Sequence, residues 1–330
     1  MIAPFSIPSP DYAWQVWEIN LFGLQLNIHT YALWILLGIV LAVVITSRRL
    51  TKRGAEPGIV LDIALWAVPL GIIGARVYHV LTHPADYFAG QEFWSVFAIW
   101  EGGNAIFGSL IGGAVGVLIG CRITGLRFWS FADALAPGLL VAQAVGRIGN
   151  WFNHELYGAP TDLPWGLEIE SSNPAWPAGL EAGTLFHPTF LYELTWNLIG
   201  AAVLVFLLER RFSMRWGKAF GFYLIWYGIG RSVFEAIRVD PSEMFLGIRV
   251  NVWAAWAAVV LGIVLILVQR RRHPGLEPSV YVAGREWAGP DAALDSDEIE
   301  SDSDSLDDAV EGENAGRASA ATSTSRATSD

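Results

Sequence analysis

Arg147, Asn150, Glu155, Arg231, Glu235 and Arg238 are the residues in this apolar chain whose types and spacing could do chemistry. The first three fall in GRIGNWFNHELY (146–157), closed by Gly158, where an apolar run from about residue 131 to 145 ends. A guanidinium and a carboxylate at a membrane boundary are costly to desolvate, so they mark a functional site by default. Gly146 and Gly149 leave the backbone beside Arg147 open to close approach by a ligand or helix. The second group is YGIGRSVFEAIR (227–238). Arg231 and Glu235 are four apart and share a helix face, Tyr227 lies one turn earlier, and Arg238 extends the strip. If the two arginines converge, they form a fork-shaped site for phosphate oxygens, which guanidinium binds bidentately. The competing reading is structural: Arg147–Glu155 and Arg231–Glu235 as ion pairs between helices.

Apolar helices must position these groups. The 330 residues are 53% hydrophobic and only 16% charged, with 16 Trp and a positive mean hydropathy. Apolar runs recur near the ~20 residues that cross a bilayer. The pattern predicts an all-α polytopic membrane protein with seven helices near 29–47, 58–80, 94–121, 131–151, 187–208, 218–238 and 250–269, the third opening with a break around Glu101–Asn104. Segments 48–57, 122–130, 209–218 and 270–272 hold 4, 2, 4 and 3 basic residues, whereas 1–28, 81–101 and 152–186 hold none. The positive-inside rule then puts the N-terminus outside and the C-terminus in the cytoplasm, with only Arg238 and Arg249 breaking it. Trp14, Trp17, Trp94, Trp100, Trp151, Trp165 and Trp176 gather on the outer side, where amphipathic rings favour the headgroup zone.

Three divisions follow: an outer segment 1–28, a seven-helix transmembrane domain 29–273 and a tail 274–330. Within the domain, 152–186 holds Pro160, Pro164, Pro174 and Pro177 and reads as a small irregular or β-containing outer cap. Gly108, Gly112, Gly116 and Gly120 fall four apart, a small-residue stripe that lets helices pack backbone to backbone. From Pro274 onward there are 14 acidic and 3 basic residues, so the tail carries the whole net charge of −11 and the first 273 residues balance at 18 of each sign. Such a tail cannot bury enough apolar surface to order itself and reads as disordered. The acidic balance suits no nucleic acid. Cys121 is the only cysteine, which excludes a disulfide framework. The LIGC before it looks like a lipobox, but its mid-chain place makes that a coincidence. No basic n-region precedes the first apolar run, so no cleavable signal peptide is expected. No His/Asp/Glu set has ligand spacing, so neither metal nor cofactor is expected.

Five stretches in order carry a resemblance: IPSP (7–10), HTYAL (29–33), GRIGNWFNHELYG (146–158), HPTFLYE (187–193) and Tyr-x-x-x-Arg-x-x-x-Glu (227–235). Together they resemble the phosphatidylglycerol–prolipoprotein diacylglyceryl transferases over residues 7–270. The resemblance implies a multi-pass enzyme of the bacterial cytoplasmic (inner) membrane. Its partners would be phosphatidylglycerol and prolipoprotein signal peptides with a lipobox cysteine. The reaction would move diacylglyceryl to the cysteine sulfur and release glycerol phosphate, the first step of lipoprotein maturation. It further implies catalytic roles for Arg147, Arg231, Tyr227, Glu155 and Asn150. Phosphatidylglycerol binding would fall to Arg147, Arg231, Tyr31, Gly158, Glu235 and Arg238. The family's glycine-rich segment usually carries a histidine before the glycines, where this chain has Phe107, Gly108 and Ser109. Three readings stay open: the histidine is dispensable, another group such as His29, His154, His187 or Tyr227 serves, or the chain binds lipid without chemistry.

Rival classes fit less well. A transporter would show related halves, and none is visible. A rhomboid-like protease needs a Gly-x-Ser-Gly nucleophile, which Phe107–Leu110 does not supply. Asp62 and Asp133 both lie at the basic ends of their helices, which does not suit an aspartyl intramembrane protease.

Overall fold

The computed structural model describes residues 5–21, 24–88, 93–98, 102–103 and 105–289. Trp100, Glu101, Asn104 and residues 290–330 of the acidic tail lie outside the described residues. The described chain is mostly helical. Its long helices are α1 (Thr30–Thr51), α2 (Ile59–Thr82), α3 (Ile106–Thr124), α4 (Phe128–Phe152), α5 (Thr189–Arg211), α6 (Lys218–Ile237) and α7 (Val250–Arg272). Six of them, all but α6, are long and apolar enough to cross a membrane. Helix α6 spends its polarity on Tyr227, Arg231 and Glu235.

The structure corrects four expectations. The third helix starts at Ile106 rather than near 94, because Gly102 and Gly103 take φ of 88° and 69°, which a helix cannot accommodate; Phe93–Phe97 form a separate 3-10 turn. The chain is not purely helical: β1 (Val16–Leu21) and β2 (Leu24–His29) pair antiparallel before α1, with Val16 opposite His29. Two short pairs follow, β3 (Leu167–Glu168) with β4 (Leu185–Phe186), and β5 (Met244–Phe245) with β6 (Ile248–Arg249). Helix α5 runs past Ala202 through a π-helical stretch, Val203–Leu208, to Arg211. Finally, packed structure does not stop at residue 273. Val280 and Tyr281 are 3% exposed and join the core formed with Leu50, Ile63, Leu126 and Phe131. Tyr281 Oη accepts a 2.9 Å bond from the Glu56 amide, and the compact unit extends to Arg285. Two apolar residues in the acidic stretch supply the burial that composition averaged over the whole tail conceals.

Three devices set helix positions. The glycine stripe of α3 lies on α2: a Cβ on Gly108 would stand 2.1 Å from the Gly74 carbonyl oxygen, and one on Gly112 2.1 Å from that of Leu70. Between α5 and α6, Trp196 and Trp226 stack at 4.3 Å, and each indole N–H donates to the other's backbone carbonyl at 3.1 and 3.0 Å. The third is Asp133, fully buried on α4. Its two oxygens accept the amides of Gly217 at 2.7 Å and Phe220 at 3.0 Å, holding the α6 N-terminus where a carboxylate complements the helix dipole. Asp133 is therefore a helix anchor. From this contact helices α4 and α6 run on side by side.

Candidate active site

Arg147 is 14 residues beyond Asp133 (147 − 133), and Arg231 is 14 beyond Gly217 (231 − 217). Two helices level at that contact and rising about 1.5 Å per residue carry both guanidiniums to the same level, roughly 21 Å on. Gln143 Nε2 donates 2.9 Å to Tyr223 Oη below them and keeps the two helices in register. Arg147 and Arg231 accordingly line one cavity of about 20 Å³ with Gln143, Glu193, Trp196, Asn197, Tyr227, Gly230 and Phe234. That volume holds about one water molecule. A Cβ on Gly230 would meet Trp196 Nε1 at 2.3 Å, so glycine before Arg231 admits the indole wall.

The ion pairs differ from those expected. Arg147 does not pair with Glu155: its Nη2 lies 2.8 Å from Glu193 Oε2 on α5, and its Nη1 donates to Asn150 Oδ1 at 3.2 Å. Glu155 instead accepts Asn150 Nδ2 at 2.8 Å and Asn153 Nδ2 at 3.3 Å. It thereby fixes the asparagine that orients Arg147. Arg231 lies 3.0 Å from Glu235 Oε2 as expected, yet no hydrogen bond reaches that oxygen. Glu235 also meets Arg238 at 3.5 Å, Arg249 at 3.2 Å and Asn251 Nδ2 at 3.0 Å. One carboxylate facing three guanidiniums leaves positive charge over, and Arg231 is the member that borders the cavity.

The other expected residues separate into distinct places. Tyr31 and Asn150 line a second cavity of about 380 Å³ on the far side of Arg147, with Ile35, Ile39, Ile106, Leu139 and Gln143. Arg147 and Gln143 are common to both cavities. Arg238 does not reach either; it lies past the end of α6, gripped by Asp240 at 2.7 and 2.8 Å. Gly158 is a crossing point, where a Cβ would stand 2.7 Å from His187 Cβ and 3.2 Å from the Ile237 carbonyl oxygen. His154 is buried, with Nδ1 3.0 Å from Glu170 and Nε2 2.6 Å from the Pro10 carbonyl, so both ring nitrogens are committed to architecture. His187 Nδ1 lies 3.2 Å from Tyr192 Oη. Phe107 turns toward Tyr78 on α2, with ring centroids 6.2 Å apart.

The five motifs gather at one end of the helices. Pro8 and Pro10 of IPSP accept from Trp151 and His154 of the signature. Thr30 of HTYAL accepts from Trp17 of the hairpin, and Gly149 leaves room for the Tyr31 ring. Thr189 and Glu193 of HPTFLYE bond Leu156 and Arg147. Segment 152–186 is largely irregular over a small core of Tyr157, Leu167, Ile169 and Phe186. Burial there, with Asp240 and Tyr12 nearby, pushes the Tyr157 phenol up to about 12, so it is neutral at any physiological pH.

Glu193, Gln143, Arg249 and Asn251 escaped the sequence reading. Glu193 was visible as the last residue of HPTFLYE, but nothing in its spacing connects it to Arg147. Arg249 stood out only as a basic residue on the outer side, and Gln143 and Asn251 carry no local signal.

Several membrane-length helices and a half-buried guanidinium pair lining one cavity describe a multi-pass membrane protein with a site suited to an anionic group. The comparisons narrow this. The family description "Prolipoprotein diacylglyceryl transferase" matches residues 19–268. A protein of Leifsonia xyli subsp. xyli named phosphatidylglycerol–prolipoprotein diacylglyceryl transferase is 63% identical over 303 residues, covering 89% of this chain and 90% of that one. Proteins of the same name from Bifidobacterium adolescentis and, as number 2, Streptomyces coelicolor are 48% and 44% identical, covering 79% and 81% of this chain and 79% and 83% of theirs. The chain belongs to the prolipoprotein diacylglyceryl transferase family.

Proposed function

We propose that this protein transfers the diacylglyceryl group of phosphatidylglycerol to the lipobox cysteine of prolipoproteins, in the bacterial cytoplasmic membrane. The observation that carries the reading is Arg147 and Arg231 lining one cavity at one level. Helix α6 is then a seventh span, buried among the others because it carries the polar site. The N-terminus, the cap and the arginine pair face outward, and the basic loops face the cytoplasm.

The phosphodiester binds between the arginines as Glu193 gives way as the partner of Arg147, which widens a cavity that otherwise holds about one water. The apolar walls of the larger cavity, Ile35, Ile39, Ile106 and Leu139, accommodate acyl chain beside it. The substrate sulfur attacks the glycerol carbon that bears the phosphate ester. An S–C bond forms, the C–O bond breaks, and the electron pair leaves on glycerol phosphate. Fixed guanidiniums in a site of low dielectric stabilise that departing charge without reorganising. The same positive field favours thiolate, whose parent thiol has a pKa near ~8.5. Chemistry of this kind needs no imidazole at position 107, which here packs against Tyr78. The thiol proton leaves with the glycerol phosphate or to water.

The test is a transfer assay on purified protein with phosphatidylglycerol and a lipobox peptide, read by glycerol phosphate release. Release that depends on the peptide cysteine supports the transferase. Bound lipid with no release would leave a lipid-binding protein and overturn the reading.

A further inference from the structure

A cavity of about 420 Å³ opens at the opposite end of the helices, where α3 ends, α4 begins and α7 ends. Arg122, Arg127, Arg272 and Arg285 line it together with His273, Trp216 and Gln269. Among the described residues none of these guanidiniums is in an ion pair, and no carboxylate lines the cavity. Arg122, Arg272 and Arg285 reach solvent while Arg127 is half-buried, so the four guanidiniums concentrate positive potential at the cavity mouth that favours an anion.

The site is built rather than incidental. The segment after α7 straps back across the α3–α4 turn: the Arg127 amide donates to Val280 at 2.8 Å, and the Val282 amide to Gly125 at 2.9 Å. The strap ends with Arg285, whose guanidinium donates to the carbonyls of Arg122 at 2.5 Å and Ile123 at 2.6 Å. Arg127 lies over the Trp216 ring at 4.9 Å, and Trp216 stacks on His273 at 4.0 Å, so a cation and two rings form one wall. Two buried donors, Arg127 Nη1 and Trp216 Nε1, have no partner. Gln269 is 5% exposed, and its unpartnered carboxamide oxygen, an acceptor, suits a headgroup hydroxyl rather than the phosphate. Helix α4 starts here without a side-chain cap, Arg127 standing at its N-cap, and a long helix offers free N–H groups and positive potential at that end. Leu118, Leu126 and Phe128 make the remaining wall apolar.

We propose that this cavity binds the phosphate of an anionic phospholipid from the leaflet beside the basic loops, with its glycerol and acyl portion against Leu118 and Phe128. The unpartnered donors call for a multidentate oxyanion, and the apolar wall distinguishes a lipid phosphate from a free one. Such a lipid ties α4 and α7 together at the end from which Asp133 sets the level of the arginine pair. The inference does not depend on the transfer reaction.

The test uses full-length Arg147→Ala/Arg231→Ala protein, in which the other candidate phosphate site is disabled, in nanodiscs of phosphatidylcholine alone or with phosphatidylglycerol. Phosphatidylglycerol is expected to raise the melting temperature, and native mass spectrometry is expected to retain one such lipid per chain. Adding Arg127→Gln and Arg272→Gln should abolish both effects. Arg122→Gln alters an exposed residue and keeps the fold, so its expected loss of about tenfold in lipid affinity guards against misfolding as the cause. Retention of lipid and stabilisation unchanged by these substitutions would overturn the proposal. Stabilisation reproduced by inorganic phosphate in phosphatidylcholine nanodiscs would overturn the lipid assignment in favour of a soluble anion.

Discussion

Arg147 on α4 and Glu193 on α5 form an ion pair at 2.8 Å, with the Glu193 side chain only 6% exposed. Removing one member of such a pair strands the other, so under the proposed function Glu193 holds Arg147 in place until the phosphodiester arrives. Glu193→Gln keeps the shape and removes the charge. It is expected to lower kcat/KM about tenfold or more while the protein still folds, and Glu193→Ala is expected to do worse. Steady-state kinetics on both variants check this; wild-type rates would remove Glu193 from the site.

Arg147→Ala and Arg231→Ala should each reduce transfer by about a hundredfold or more, the scale of losing a fixed donor to developing negative charge. Arg231→Lys should also be weak, because lysine keeps the charge and loses the planar fork. Membrane insertion, followed by fractionation, should be normal in all three. Full transfer activity in either alanine variant would sink the phosphate assignment.

Phe107→His should leave the rate unchanged. The side chain at 107 faces Tyr78, while its neighbour Ile106 is the residue that borders the cavity with Arg147. A large gain in rate, or a new pH dependence near the histidine range, would show instead that an imidazole there reaches the substrate.

Asp133→Ala should weaken both stability and transfer although Asp133 lies far from the arginines. Two α6 amides lose their acceptor, a cost of about 1–3 kcal/mol for each buried group left unsatisfied. Asp133→Asn retains one acceptor oxygen and should recover part of both. Thermal melting together with the transfer assay distinguishes this from a change confined to stability.

The motifs were legible because each is local. An arginine beside two glycines at the end of an apolar run, or Tyr, Arg and Glu at four-residue spacing, can be read from helical periodicity alone. Asp133 shows the limit of that reading. Its position near a helix start argued against protease chemistry, but that it anchors another helix 84 residues away could not be read from any window. The π-helical stretch in α5 was hidden for a similar reason, whereas the break around Glu101–Asn104 was legible in its glycines, and only the absence of a continuous helix before it was not.

Read alone, the chain shows which residues are expensive, that most of its long apolar runs could span a membrane, and that five separated motifs belong to one family. Those are properties of composition and of short-range spacing. The tertiary structure decided the partners: Glu193 rather than Glu155 for Arg147, Asp240 for Arg238, and three guanidiniums around Glu235. It also divided the expected site into two cavities that meet at Arg147 and Gln143. Periodicity tells which face of a helix a side chain occupies. Which neighbour it meets depends on how far one helix is slid along another, and here that distance is set by Asp133 on the α6 amides and by the paired tryptophans.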